Sequence, residues 1–196
     1  MNIFTKKVFD KKAQKRKSPL LFQKGLSLIE ASMVLALSAI VVSGVMYYYQ
    51  AASDNNKTQS TVSEVMSIIS AVNGLYVGTS SYKGLDEKVI MNTSAIPENY
   101  KDGNSKIIHP FGGEIKIGAA AGDTKYFIIL KEVPQGACVN LASMNFGTSL
   151  AGAGVGNTAE TDARAGKLQG KALTPAQAAS QCKQTTNTNT IAFLLK

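Results

Sequence analysis

Residues 24–49 read Lys24-Gly25-Leu26-Ser27-Leu28-Ile29-Glu30 followed by ASMVLALSAIVVSGVMYYY. From Ala31 to Tyr49 this is 19 mostly apolar residues, and no charged residue occurs between 31 and 53. As a helix rising ~1.5 Å per residue, those residues cover about 28 Å, close to the hydrocarbon thickness of a bilayer. Ser32, Ser38 and Ser43 are the only hydroxyls before the tyrosines. Such groups can bond back to helix carbonyls. The run closes on Tyr47-Tyr48-Tyr49, the residue type expected where a helix leaves a bilayer.

Upstream of this run the chain is strongly basic. Residues 1–25 carry Lys6, Lys7, Lys11, Lys12, Lys15, Arg16, Lys17 and Lys24 against Asp10 alone. The whole chain has a formal charge of +8, so the body beyond residue 25 is almost neutral. A basic body would point to nucleic acid; a basic leader does not, and no nucleic-acid partner is expected. The cationic segment instead orients the span, with the N-terminus in the cytoplasm and the C-terminal body outside. A secretory signal peptide has a shorter apolar region and a small-residue cleavage site. Here the run is longer, and Gln50-Ala51-Ala52-Ser53 is a poor site.

Glu30 stands at the edge of the apolar run. A carboxylate deep in a bilayer costs on the order of 2.5–3.5 kcal/mol, and intramembrane acids usually have a partner. Glu30 either has such a partner or lies at the headgroup level.

The segment from Lys24 to Glu30 resembles the processing site of type IV prepilins. In that family a basic leader ends in Gly, and a prepilin peptidase cuts after it on the cytoplasmic side. The new N-terminal residue is then methylated, and the apolar segment stays in the mature chain. Gly25 matches the cleavage residue, Leu26 the N-methylated terminus and Glu30 the assembly glutamate. A 25-residue leader followed by Leu resembles the type IVb class rather than the short-leader, Phe-initiated type IVa class. The resemblance to bundle-forming pilins of that class continues through MYYYQAASDNNK, SEVMSIISAVNGLY and Met91–Asp102, and thins over 147–172.

The apolar pattern changes form beyond residue 54. Val62, Val65, Met66, Ile69, Val72 and Tyr76 recur at steps of three and four, which predicts one buried helix face. Lys57, Ser60, Glu64, Ser67, Ala71 and Gly74 are placed on the opposite, polar or small side. No proline occurs from Leu20 to Ile96, so a single helix can run from about Leu26 to about Tyr76. Gly44 inside it weakens the helix by roughly 1 kcal/mol relative to Ala.

Residues 78–112 read as a long loop with little regular structure, the position of the variable αβ-loop in pilins. Gly113–Gly118 alternates, with Ile115 and Ile117 on one face and Glu114 and Lys116 on the other. Tyr126-Phe127-Ile128-Ile129-Leu130 is a continuous apolar run, as in a strand buried on both faces. Residues 118–124 read as the turn of a hairpin. Pro134 opens a short helix over about Gln135–Asn145. The Gly-, Ala- and Thr-rich stretch 147–172 reads as surface loop, with room for one short strand. Thr174-Pro175-Ala176-Gln177 is a helix start with an N-cap, a first-turn proline and a capping-box glutamine, and the helix runs to about Gln184. Ile191–Leu195 reads as a buried central strand.

Cys138 and Cys182 each fall on one of these short helices. Two cysteines outside the membrane in an oxidising compartment are expected to pair, against the alternative of two free buried thiols. The resemblance adds that pilins close a C-terminal D-region with one such bond.

Enzyme chemistry finds no support in the sequence. With one His and two Cys, a His/Cys metal cluster is excluded and a His-based triad disfavoured. Gly152–Asn157 lacks the Lys and Ser/Thr of a phosphate-binding loop. Glu114 and Asp123 have no placeable partner, and His109 reads as a loop histidine. Asn92-Thr93-Ser94 matches a glycosylation acceptor, a frequent chance match. No cofactor and no metal are expected.

The expected fold is therefore α+β: a long N-terminal helix packed on an antiparallel-type sheet, with a disulfide-closed D-region. The expected organisation is a leader over 1–25, a membrane or filament-core helix over 26–53 and a globular domain over 54–196. Within that domain the parts are an amphipathic helix over 54–77, an αβ-loop over 78–112, and the sheet and D-region over 113–196. The resemblance implies the major structural subunit of a type IVb pilus, serving adhesion, aggregation and colonisation. A minor pilin or a type II secretion pseudopilin is the alternative. The implied partners are further copies in a helical homopolymer, the prepilin peptidase, the pilus assembly machinery, a periplasmic thiol oxidase and the inner membrane. The implied location is the inner membrane before assembly and an extracellular pilus after it.

Overall fold

The computed structural model describes residues 27–103, 105–168, 170–183 and 189–196. Helix α1 runs unbroken from Leu28 to Leu75, as the proline-free sequence allows. The chain divides into two compact units between Val45 and Met46. In the first unit the described residues are helical from Leu28 onward and almost wholly exposed. The three serine hydroxyls there donate to backbone carbonyls three or four residues back: Ser32 to Ile29, Ser38 to Val34 and Ser43 to Ala39. Each hydroxyl is thereby satisfied inside its own helix, which keeps the segment compatible with an apolar medium.

The second unit holds the rest of α1 and a six-stranded antiparallel sheet. The remaining elements are α2 (Glu87–Met91), β1 (Lys101–Asp102), β2 (Lys106–Ile108), β3 (Glu114–Ala119), β4 (Tyr126–Val133), α3 (Gln135–Ala142), β5 (Leu150–Val155), α4 (Asn157–Arg164), α5 (Pro175–Gln181) and β6 (Asn189–Leu195). The strand order is β1-β2-β3-β4-β6-β5. The last strand is thus inserted between β4 and β5, and all seven of its residues are buried.

Alternation along β4 and β6 creates two cores. Tyr126, Ile128 and Leu130 join Ile191, Phe193 and Leu195 on the face that packs against Val65, Ile68 and Val72 of α1. Phe127 and Ile129 join Ala192 and Leu194 on the opposite face, against Ala159 and Ala163 of α4. Coverage on both faces explains why β4 is apolar without interruption. Strand β3 alternates: Ile115 and Ile117 are buried, while Glu114 and Lys116 face outward and pair at 3.0 Å.

The packed stripe of α1 is Thr61, Glu64, Val65, Ile68, Ile69 and Val72, turned slightly from the face expected from sequence. Val62 and Tyr76 flank it, half-buried, and Met66 is 47% exposed. The turn buries rigid Ile68 in place of flexible Met66. It also carries Glu64, expected on the polar side, into the protein.

Two stretches expected mainly as loops hold more regular structure than that, although the short strand allowed for in 147–172 is present as β5. Within 78–112, α2, β1 and β2 are pinned by buried Leu85, Ile90, Ile96 and Ile107. Asp86 caps α2 by accepting from the Val89 amide at 2.9 Å. Within 147–172, β5 pairs with β6 and α4 covers the second face. The short helices end earlier than expected, α3 at Ala142 and α5 at Gln181. The Thr174–Gln177 capping box is formed in both directions.

Candidate functional site

The first half of α1 presents apolar side chains around its whole circumference. Leu35, Leu37, Ile40, Val41 and Val45 are each more than 60% exposed. These positions fall on every side of the helix, so no single partner face could cover them. Full burial of each such side chain is worth roughly 1.5–3 kcal/mol. A surface of this kind belongs in lipid or among other helices. By length and composition the helix can cross a membrane.

Glu30 lies exposed in the first turn of α1, where the helix dipole favours a negative charge. Gly25 and Leu26 lie outside the described residues.

Cys138 and Cys182 form a disulfide with their Cα atoms 6.0 Å apart. Cys138 is on α3, and Cys182 caps the C-terminus of α5 rather than lying within it. Both are buried. The bridge joins residues 44 positions apart, and β5, α4 and α5 lie between them. Side chains reinforce this closure. Asn189 at the start of β6 donates to the carbonyls of Val133 and Lys183 at 3.1 and 3.2 Å and accepts from the Lys183 amide at 2.9 Å. Gln181 accepts from the Val155 amide at 3.3 Å.

His109 is more than a loop histidine. It is 1% exposed, with Nε2 2.7 Å from the Lys131 carbonyl and Nδ1 3.3 Å from the Phe111 amide. Since a carbonyl can only accept and an amide N–H only donate, the ring is neutral with its proton on Nε2. Burial lowers its pKa despite the Lys131 bond and the charge of Glu132. Gly113 leaves the room this needs, because a Cβ there would meet the Lys131 oxygen and lie 2.6 Å from His109 Nε2. Glu114 pairs with Lys116 and Lys106.

Sequence reasoning missed Glu64. Both its carboxyl oxygens are buried without a hydrogen-bond partner among the described residues, and desolvation pushes its pKa up to about 8. Its position between Thr61 and Val65 on a three- and four-residue pattern could have signalled this.

A helix sheathed in apolar side chains over one half, packed on an antiparallel sheet over the other and accompanied by a disulfide-closed C-terminal region, defines the type IV pilin class. The family profile described as bundlin matches residues 50–196. Two curated relatives, from Escherichia coli O127:H6 (strain E2348/69 / EPEC) and Escherichia coli O111:H-, are each named major structural subunit of bundle-forming pilus. Each is 50% identical over 189 residues, covering 89% of this chain and 95% of the relative. The chain belongs to the bundlin family.

Proposed function

We propose that this chain is the major structural subunit of a type IVb pilus, held in the inner membrane as a precursor and polymerised through α1. The observation that carries the reading is the charge-free, all-round apolar surface of α1 over residues 31–49, which requires an apolar partner on every side. The names of the half-identical relatives favour a major subunit over a minor pilin or a pseudopilin.

In this reading a prepilin peptidase cuts after Gly25 and removes the basic leader that held the N-terminus in the cytoplasm. Leu26 becomes the N-methylated terminus and carries an ammonium group. Glu30 of an adjacent subunit neutralises it in the filament core. A buried pair of this kind is worth making because either charge alone in an apolar core is expensive. Ala31, Ala36, Ala39 and Gly44 let helices approach closely as they exchange lipid for one another. The contact is head-to-tail and does not close, so it propagates as a helical fibre. Separate assembly machinery drives it, and a periplasmic thiol oxidase closes the Cys138–Cys182 bond. The role is structural rather than enzymatic.

Electron microscopy of cells with and without the intact gene tests this. Surface fibres that bind antibody to this chain and vanish on deletion are expected. Unchanged fibres after deletion contradict it.

A further inference from the structure

One buried side chain fastens the connection between β2 and β3 to an irregular step in β4. Strand β2 is three residues long and pairs with β3 at Ile107–Ile115 and Ile108–Glu114. In β4 the register with β6 shifts between Leu130 and Val133, and Glu132 within that step has a φ of 58°. A non-glycine residue in the left-handed region persists only where its surroundings hold it. His109 supplies such a hold. Its Nε2 donates to the Lys131 carbonyl at 2.7 Å, one residue before Glu132. Gly113 has no Cβ to obstruct that approach.

The same ring braces its own turn. Nδ1 accepts from the Phe111 amide at 3.3 Å. The His109 amide donates to the Gly113 carbonyl at 2.9 Å, and the Gly112 amide donates to the His109 carbonyl at 2.7 Å. The Phe111 ring lies 6.0 Å from the imidazole, and Lys57 Nζ of α1 lies 5.9 Å from the Phe111 ring centre. His109 therefore joins the turn, the β4 step and, through Phe111, the long helix. Only the neutral ring fits this arrangement. An imidazolium carries N–H at both nitrogens, so an Nδ1–H would oppose the Phe111 N–H.

The charged groups around the ring do not reverse this. Glu132 on β4 favours the protonated form, but burial outweighs it and lowers the pKa. Lys57 on α1 has the opposing sign. On β4 the Lys131 ammonium is paired with Glu160 of α4. At the start of β3, Glu114 is already engaged by Lys106 of β2 and Lys116.

We propose that His109 is an acid-released latch: on protonation the ring leaves the Lys131 carbonyl, and the 109–113 turn and the β4 step open locally while the central strands stay folded. Histidine is the side chain suited to such a response. Local opening needs less free energy than global unfolding, and here it falls where the β4–β6 ladder is already interrupted. The latch does not depend on the pilus reading.

Residue-resolved amide hydrogen exchange of the full chain in detergent, taken between pH 7 and pH 4.5 and corrected for intrinsic exchange, tests this. The Phe111 and Gly112 amides are expected to lose protection roughly ten-fold or more at the acid end, while Ile191–Leu195 stay protected. Nitrogen-15 spectra of the histidine are expected to show the Nε2-protonated neutral ring at pH 7 and the imidazolium at pH 4.5. In His109→Gln the side-chain amide can still donate to Lys131 but does not titrate, and the acid-induced loss is expected to vanish. Should that variant fail to fold, the wild-type exchange and nitrogen-15 spectra decide. Unchanged protection of Phe111 and Gly112, loss in step with β6, loss while the ring remains neutral, or a folded His109→Gln that keeps the acid response overturns the proposal.

Discussion

Ala159 on α4 sits so close to Gly154 on β5 that a Cβ added at Gly154 would lie 2.7 Å from the Ala159 Cβ. Leu168 Cδ1 would lie 3.3 Å away. The contact explains the composition of 147–172: small residues let α4 lie close on the second face of the sheet, where Ala163 is also buried. Gly154→Val should therefore force α4 off the sheet and cost about 1–3 kcal/mol. Thermal unfolding of the purified chain checks this. An unchanged midpoint would contradict the close packing.

Much of the fold is legible in the sequence because period and punctuation agree. Ile115 and Ile117 alternate with charged neighbours, Thr174-Pro175-Ala176-Gln177 states a helix start, and Ile191–Leu195 is too apolar for an exposed tail. The stretch 147–172 misleads because its core is made of alanine and glycine, which resemble loop composition. The segment 78–112 misleads because its anchors Leu85, Ile90, Ile96 and Ile107 are spaced without a helical or strand period. His109 is invisible as a buried group, since its burial comes from other elements closing over it, whereas Glu64 betrays itself only through its place beside Val65 on the three- and four-residue pattern. Glu30 stands out in the sequence as an acid bordering a charge-free run, whereas the roles of Gly25 and Leu26 come only through family resemblance.

The disulfide should stabilise by roughly 4 kcal/mol on a chain-entropy estimate for a 44-residue loop. Cys138→Ser, Cys182→Ser and the double variant should lose similar amounts, because one bond is lost in each. Since β5 and α4 have their own core, the part that loosens first should be α5, whose one buried residue is Ala178. Limited trypsin digestion should then cut earliest after Lys171 or Lys183. Equal resistance of the double variant and the wild type would contradict this assignment.

Two buried groups should give unassembled pilin opposing pH slopes. The Glu64 pKa is raised from 4.5 to about 8, so between those values the folded chain holds a proton that the unfolded chain has released. Its contribution to stability is fully present below pH 4.5 and is lost as pH rises through 8, by on the order of 1 kcal/mol per pH unit. His109 has a pKa lowered from 6.5, so the unfolded chain takes up a proton first and stability falls as pH drops below 6.5. Melting temperature against pH for detergent-held pilin should show both slopes. Glu64→Gln should stabilise the chain at pH 7–8 and remove the fall toward alkaline pH. A Glu64→Gln profile parallel to wild type across that range would contradict the burial argument.

Glu30→Ala should separate folding from assembly. Glu30 is exposed and lies in the first turn of α1, so its removal leaves the sheet and both cores untouched. Processed, disulfide-bonded, membrane-held pilin with few or no fibres is the expected phenotype. Fibres of normal number and length would rule out the pairing of Glu30 with the Leu26 terminus.

In the pilus reading the apolar helix is retained in the fibre after the leader is cut away. Intact-mass and N-terminal analysis of sheared surface fibres tests it most directly. A chain that begins at N-methyl-Leu26 and contains the Cys138–Cys182 bond is the expected result. A fibre protein that begins at Met1, begins after Ala52 with the apolar helix lost, or is a different chain altogether would contradict it.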